Sequence, residues 1–467
     1  AAAAYQPGQR VRIPWRRHQS LIGVIVGLSS QSTYPPNKLK SISALLDQEP
    51  VFSPFMLKFL YFIADYYHAP LGEVFAMALP AWLRQGRESR YRRQFTQFEA
   101  LPETGFPWSA LNSAQQAAVE RIAQAFDQFQ IFLLYGVTGS GKTEVYLQLI
   151  ARLLAKNQQA LILVPEIGLT PQTEARFQQR FSVRIAVLHS SLGERERHDA
   201  WEQARHGDTP IIIGTRSAIF TPLARPGLII VDEEHDLSFK QQEGCRYSAR
   251  DLAVLRGQLE KIPVVLGSAT PSLESLYKVK QGRYQQLTLP ERAGSATAPK
   301  VRVIDLRHQK LTQGISDFLF EAMSDHLARE NQVLLFLNRR GYAPNLICEN
   351  CGWIAQCQRC DRPLVLHQTP YQLCCHHCAA VRKPKVACPD CGQKPLQILG
   401  AGTERVAELL MQRFPKIPVI RIDRDTTRRK GSLENKLAQV QAGEAAILIG
   451  TQMLAKGHHF SRVTLAA

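Results

Sequence analysis

The sequence has 467 residues, 45% of them hydrophobic, and carries 57 Lys+Arg against 40 Asp+Glu, a formal charge of +17 with histidines neutral. That length exceeds one ordinary core and predicts two to four domains, and no apolar run approaches the ~20 residues that span a bilayer, which argues against a membrane protein. The cationic surplus fits a polyanionic partner, because each neutralised phosphate releases a counterion; a merely basic, soluble enzyme is the plainer alternative. Nothing has the pattern of a signal peptide. The reading is a soluble, cytoplasmic chain, with the opening AAAA implying natural residues upstream.

Residues 1–85 form a first domain. Val11 to Leu28 is strand-like, broken by Pro14 and a basic WRRH turn at 15–18, and an apolar helical segment runs from Phe55 to Tyr67. GRESRYRRQF (86–95) and PETGFP (102–107) mark an exposed basic linker over 86–110. From Asn112 strands alternate with helices, the pattern of a doubly wound parallel α/β sheet, and the block fills 111–300. LILV (161–164) and LIIV (228–231) read as its buried strands. A second α/β block over 301–345 and 396–467 is interrupted by a cysteine-rich insertion at 346–395.

Within the first α/β block, IFLLYGVTGSGKTEVYLQLI holds a G-x-x-x-x-G-K-T loop from Gly136 to Thr143 between a strand and a helix, the context that loop needs. Its backbone N–H groups, through Gly136, Gly139, Ser140 and Gly141, would curl around nucleotide phosphates, with Glu144 next in line. Lys142 would reach the β- and γ-phosphates, and the Thr143 hydroxyl would ligate Mg²⁺. The strand LIIV ends in Asp232-Glu233-Glu234-His235. A carboxylate at the C-terminal end of a parallel strand lies beside the loop's crevice, so Asp232 can hold Mg²⁺ and Glu233 can polarise an attacking water. Glu234 reads as a solvated loop carboxylate.

Gln115, just before the first helix of the block, could read adenine through its two-sided amide, or could simply face solvent. Arg216, in GTRSA after another strand, can contact a nucleic-acid phosphate. GSAT (267–270) could couple phosphate state to lobe movement, or be an ordinary strand-to-turn junction. The loop after DEEHD mixes Phe239, Lys240, Arg246 and Tyr247, aromatic rings with cations, as single-strand stacking surfaces do; a packed surface loop is the alternative.

Nine of the ten cysteines lie between Cys348 and Cys391. Eight form CxxC pairs: Cys348/Cys351, Cys357/Cys360, Cys375/Cys378 and Cys388/Cys391. A pair at that spacing brings two thiolates to one metal, so eight predict two closed Cys₄ sites for structural Zn²⁺. A redox-active CxxC is the rival. Spacing leaves the pairing open. Cys374, His376 and His377 read as spectators, and so little apolar sequence implies that metal binding supplies much of the folding free energy.

The ordered segments GVTGSGKTE, VPEIGLTPQT, GTRSA, DEEH, GSATP, FLNRRGYAP and GTQMLAKGHHF resemble superfamily 2 helicases. Within them the chain is similar, over nearly its whole length, to the bacterial primosomal replication-restart helicases. DEEHD followed by KQQEG, and the eight-cysteine insertion after NRRG, are the most specific matches.

The resemblance implies two RecA-like lobes, a β-rich N-terminal domain that recognises a leading-strand 3′ end, and ATP-dependent 3′-to-5′ unwinding at stalled or abandoned forks. It places Gln115 on adenine, and Gly139, Lys142 and Thr143 on phosphate and Mg²⁺. Catalysis falls to Asp232 and Glu233, and His235 couples hydrolysis to DNA. Arg339 and Gly450-Thr451-Gln452 would close over nucleotide and DNA. Lys40 matches a pocket lysine for the 3′ end, and a plain solvated lysine is the alternative.

For the metals the resemblance implies a nested pairing, Cys348, Cys351, Cys388 and Cys391 on one zinc and Cys357, Cys360, Cys375 and Cys378 on the other. Its partners are forked and single-stranded DNA, single-stranded DNA-binding protein and other primosome proteins. Where this family has a tryptophan in the aromatic loop, Cys245 stands here, and one stacking contact is lost. A winged-helix domain before the motor, where only residues 86–110 stand, is either absent or outside this sequence, and a later QxxGRxGR motif is expected in residues outside it. A non-catalytic fork-recognition and primosome-loading scaffold is the competing reading, and an RNA helicase or double-strand translocase on the same lobes is a third.

Overall fold

A computed structural model describes all residues except 1–4, 16–18, 90, 92–109, 166–170, 182, 190–191, 294–298, 308, 310, 338–344, 361, 369–370, 376–377, 400–402, 423–431 and 451–459. Arg339, Thr451, Gln452, His376, His377, most of the WRRH turn and most of the linker therefore lie outside the described residues. The chain forms two compact units, residues 1–298 and 299–467.

The first unit opens with a three-stranded antiparallel sheet, ordered Gln19–Val24, Arg10–Trp15, Ala44–Leu45. Arg10 is fully buried beneath it. Its guanidinium pairs with Asp47 at 2.6 Å and donates to the carbonyls of Leu83 and Arg87. A buried arginine is tolerable only when its donors are met in this way, and removal of the carboxylate alone typically costs about 3–5 kcal/mol.

Helix Pro54–Tyr66 starts where Ser53 accepts the Met56 N–H and Pro54 presets the first turn. Its buried face, Met56, Leu57, Phe59, Leu60 and Ile63, shares one core with the short helices Leu71–Ala78 and Ala81–Arg84 and with one side of the large sheet. Phe59, for instance, lies 6.4 Å from Phe220. The boundary at residue 85 thus marks a change of sequence pattern, whereas the helices on its N-terminal side belong to the core of the following lobe.

That lobe is a seven-stranded parallel sheet. Its order is Gln285–Leu289, Ile131–Gly136, Val264–Ser268, Pro226–Asp232, Gln159–Leu163, Ile211–Gly214, Ile185–Leu188. Ile131 and Leu133 face one core and Phe132 and Leu134 the other. Burial on both faces explains why such strands read as unbroken apolar runs. Because every strand runs the same way, all their C-terminal ends emerge on one edge.

The second unit has a four-stranded parallel sheet, ordered Val419–Ile422, Ile447–Gly450, Gln332–Phe336, Val463–Ala466. Set into it is a five-stranded antiparallel sheet, ordered Val381–Arg382, Tyr371–Cys374, Val365–Gln368, Asn345–Ile347, Gln397–Leu399. The pairing of Asn345–Ile347 with Gln397–Leu399 closes the base of the insertion, a few residues outside the predicted 346–395. Among the described residues no helix is long and apolar enough to cross a membrane.

Candidate nucleotide site and metal centres

Strand Ile131–Gly136 runs into the glycine-rich loop and then into helix Lys142–Ala155. Gly141 is the N-cap residue at φ +79°, where an added Cβ would lie 2.3 Å from the Gln115 amide nitrogen. Only glycine meets both demands. The Lys142 ammonium donates to the Gly136 carbonyl at 2.9 Å, and the buried Ser140 hydroxyl has no partner among the described residues. The loop thus holds a cation and an uncommitted hydroxyl at a helix N-terminus, which is a phosphate-binding arrangement.

Two strands away, Asp232 ends strand Pro226–Asp232 and accepts a hydrogen bond from Tyr146 Oη at 3.0 Å. Tyr146 belongs to the helix that follows the loop, so this bond, worth about 1.5–3 kcal/mol for a charged acceptor, ties the two motifs together. Burial pushes the Asp232 carboxyl up to about 6, and Glu233 adds to the shift; Tyr146 and the Lys142 ammonium oppose it. Burial, with Asp232 second, holds the Tyr146 phenol well above 10. The Lys142 charge thus acts on the Asp232 carboxyl, and the Tyr146 bond holds the phosphate loop's helix against the end of that strand.

Glu233 takes a left-handed backbone, φ +50°, which costs a residue with a Cβ about 1–2 kcal/mol. Its carboxylate lies 3.5 Å from His235 Nδ1. That ring also contacts Ser268 Oγ at 2.8 Å and Thr270 Oγ1 at 3.4 Å. GSAT is thus wired to the DEEH box. Gly267 is required there, since a Cβ would meet the Tyr146 hydroxyl at 1.7 Å.

Other residues depart from the sequence expectation. Glu234 is no solvated carboxylate. It is 1% exposed and accepts from Ser272 N, Ser272 Oγ, Ser275 Oγ and Arg250. Glu144 pairs with Arg180 at 2.7 Å; a carboxylate aimed at a triphosphate would repel it, and here it braces two helices instead.

Gln115 is buried rather than solvent-facing. Its Oε1 takes the Asn112 N–H, and its amide nitrogen donates to the Ser140 carbonyl at 2.9 Å, so it props the loop. The rings of Phe239 and Tyr247 are 2% and 3% exposed and sit in the core, Tyr247 edge-on to Phe220 at 5.0 Å, so they offer no stacking face. Cys245 is buried beside them. Lys240 and Arg246 remain at the surface, as does Lys40. Arg216 donates to the carbonyls of Ser238 and Lys240, which fixes the loop's base.

In the insertion, Cys348, Cys351, Cys388 and Cys391 gather in one cluster and Cys357, Cys360, Cys375 and Cys378 in another. Sulfur separations are 3.5 Å for Cys348–Cys391 and Cys351–Cys388, and 3.4–3.7 Å between Cys360 and Cys375 or Cys378. Four sulfurs at about 2.3 Å from a tetrahedral ion stand about 3.8 Å apart, so both clusters fit one metal each, in the nested pairing. Left-handed Gly352, Ala379 and Gly392 each follow the second cysteine of a pair and turn the backbone around the site. Cys374 belongs to neither cluster. The module's core is small and includes Cys357 and Cys375 themselves.

Because the Asp232 carboxyl is raised above its ordinary value, the folded protein binds this proton more tightly than the unfolded chain. The charge therefore costs stability as pH rises through about 6. In the absence of nucleotide and metal, Asp232→Asn should stabilise the chain by about 1–3 kcal/mol at pH 7.5 and by almost nothing below about pH 4. Urea midpoints at the two pH values test this, and equal effects at both would contradict it.

Residues 112–279 match the DEAD/DEAH box helicase family and residues 1–80 a 3′DNA-binding domain (3′BD). The chain is 45% identical to the replication restart protein PriA of Haemophilus influenzae, the match covering 99% of this chain and 73% of that protein. It is 35% identical to the PriA protein of Rickettsia felis, over 98% of this chain and 69% of that one. Identity to the Bacillus subtilis PriA protein is 42%, over 82% of this chain and 48% of the relative, so the match spans about half of that longer protein. A phosphate loop joined to a DEEH box, a matching 3′DNA-binding domain and this identity along almost the entire chain lead to one conclusion: it belongs to the PriA family of replication restart proteins, with a DEAD/DEAH-type helicase core.

Proposed function

We propose that this chain carries the motor of an ATP-dependent 3′-to-5′ DNA helicase that binds stalled or abandoned replication forks and starts primosome assembly. The observation that carries the reading is the convergence of Lys142 and the Tyr146–Asp232 pair on one edge of the parallel sheet. Lys142 exchanges its Gly136 carbonyl for β- and γ-phosphate oxygens, with Ser140 and the loop N–H groups around them. Thr143 and Asp232 hold the Mg²⁺, which neutralises phosphate charge when bound. Asp232 must lose its proton to do so, and the Lys142 ammonium beside it favours that loss.

Glu233 orients the attacking water, and His235 reports its position to Ser268 and Thr270. Gln115, through the Ser140 carbonyl, senses whether the loop is filled and can turn its amide to adenine. Lys240, Arg246 and Lys40 supply phosphate contacts on DNA, with Arg216 holding the base of the first two. Arg339 and Gly450-Thr451-Gln452 act from the second unit. Single-stranded DNA-binding protein and other primosome proteins are the protein partners. The eight cysteines hold two Zn²⁺ in closed sites with no open position, so these ions fold the insertion and take no part in hydrolysis.

ATP turnover should be stimulated by forked DNA, more strongly when the fork carries a leading-strand 3′ end. Lys142→Ala should lower the stimulated rate by about 100-fold or more while fork binding persists. Turnover retained in Lys142→Ala would reject the motor reading; fork binding without any ATPase in the parent would leave only a loading scaffold. Elemental analysis should find two zinc ions per chain and one after Cys357→Ser. One or none in the parent contradicts the assignment.

A further inference from the structure

One buried carboxylate in the motor stands outside every role assigned above. Glu234 follows the left-handed Glu233 and precedes His235. Its N–H donates to the Gly267 carbonyl at 3.0 Å. Its Oε1 accepts the Ser272 N–H at 2.6 Å; its Oε2 accepts from Ser272 Oγ at 3.0 Å, Ser275 Oγ at 2.8 Å and Arg250 Nη1 at 3.2 Å. Four donors match the acceptor capacity of the carboxylate. Arg250 Nη1 also reaches Ser272 Oγ at 2.8 Å, which closes the cluster.

The members come from separate parts of the lobe. Ser272 is the N-cap of helix Leu273–Lys280, directly after GSATP, and so fixes the segment that contacts His235. Arg250 lies in the first turn of helix Ala249–Glu260. That helix begins where the loop after the DEEH box ends, and the loop's two ends are joined by a bridge between Lys240 and Ser248. Arg216 grips the same loop through the Ser238 and Lys240 carbonyls. A continuous path therefore runs from Arg216 and the cation-bearing loop, through Arg250, to Glu234, and from there by one peptide bond to either Glu233 or His235.

We propose that Glu234 is a positioning residue for the DNA-stimulated reaction: with Arg250 it locks Glu233 in its left-handed conformation and transmits the loop's position to the water-orienting carboxylate. The inference rests on the helicase reading and adds a residue pair to it. Left-handed backbone at a residue with a Cβ persists only where its surroundings over-determine it, and Glu234 supplies that constraint from the adjacent position. The loop carries Lys240 and Arg246 at the surface, so DNA pulling on it moves the start of helix Ala249–Glu260, and Arg250 with it.

The test is steady-state ATPase of the full chain with and without forked DNA, together with fork binding and melting temperature, in the parent, Glu234→Gln, Arg250→Gln and Arg250→Lys. The side-chain amide of the Glu234→Gln variant keeps an acceptor for the Ser272 N–H, and the serine hydroxyls can turn to accept from it, but the guanidinium cannot. Glu234→Gln and Arg250→Gln should each cut the ratio of stimulated to basal kcat by at least about tenfold, with the KM for ATP and the fork Kd within about twofold of the parent. Arg250→Lys, which keeps the charge, should recover most of the ratio.

A ratio equal to the parent's in Glu234→Gln overturns the proposal. So does an equal loss of basal and stimulated rates, which is what a purely structural role gives. A parent that DNA does not stimulate removes the helicase reading and this inference together, and the parent measurement alone identifies that case.

Discussion

Three neighbouring parallel strands, ending at Gly136, Ser268 and Asp232, set the geometry on which the rest of the motor depends. Because they run in one direction, the phosphate loop, the GSAT segment and the DEEH box leave the sheet on the same edge. The Tyr146–Asp232 hydrogen bond fixes their spacing, and Gly267 between them leaves room for it. The sheet can hold this register because both its faces are buried. A slip of one residue would turn every apolar side chain to the wrong core.

Polar groups buried around that edge restrict its motion. Gln115 props the loop and Glu234 anchors the turn after Asp232; elsewhere in the lobe Arg256, fully buried, donates to the Ile219 and Thr221 carbonyls while paired with Glu260. Each has its hydrogen bonds met, which is the condition for keeping such groups inside. Within the phosphate loop, among the described residues, the Ser140 hydroxyl stays uncommitted and the Lys142 ammonium rests on a backbone carbonyl. Those are the groups a triphosphate would claim. The cysteine insertion solves a different problem. Its small core includes Cys357 and Cys375, and eight cysteines gather there in two clusters at metal-holding distances.

Much of this was legible in the sequence, and the reasons differ by segment. The phosphate loop and DEEH box could be read because their chemistry demands particular residues at fixed spacing after apolar strands. The cysteine pairs could be read for the same reason, although their nested pairing came only from family resemblance. Phe239 and Tyr247 leave two readings open, a stacking surface or a packed loop, because local sequence does not say which way a ring points; both rings are buried. Glu234 reads as solvated from local sequence because its four donors come from 16 to 41 residues away. The capping pattern S-x-x-S at Ser272 and Ser275 was the available signal, and it spoke only for the helix. Tyr146 carries no signal of its own in the sequence, since its helical spacing marks it simply as core. The helices of residues 54–84 read as part of a separate domain because nothing in their own sequence names the lobe they pack against.

At the centre of the proposal stands the convergence of Lys142, Thr143 and Asp232 around one magnesium-bound triphosphate. A crystal structure with Mg²⁺ and a non-hydrolysable ATP analogue tests it most directly. The expected result is Lys142 Nζ moved from the Gly136 carbonyl onto the β- and γ-phosphates, with the metal between Thr143 Oγ1 and Asp232. Nucleotide bound elsewhere, or Lys142 still on its carbonyl beside an occupied loop, would contradict it.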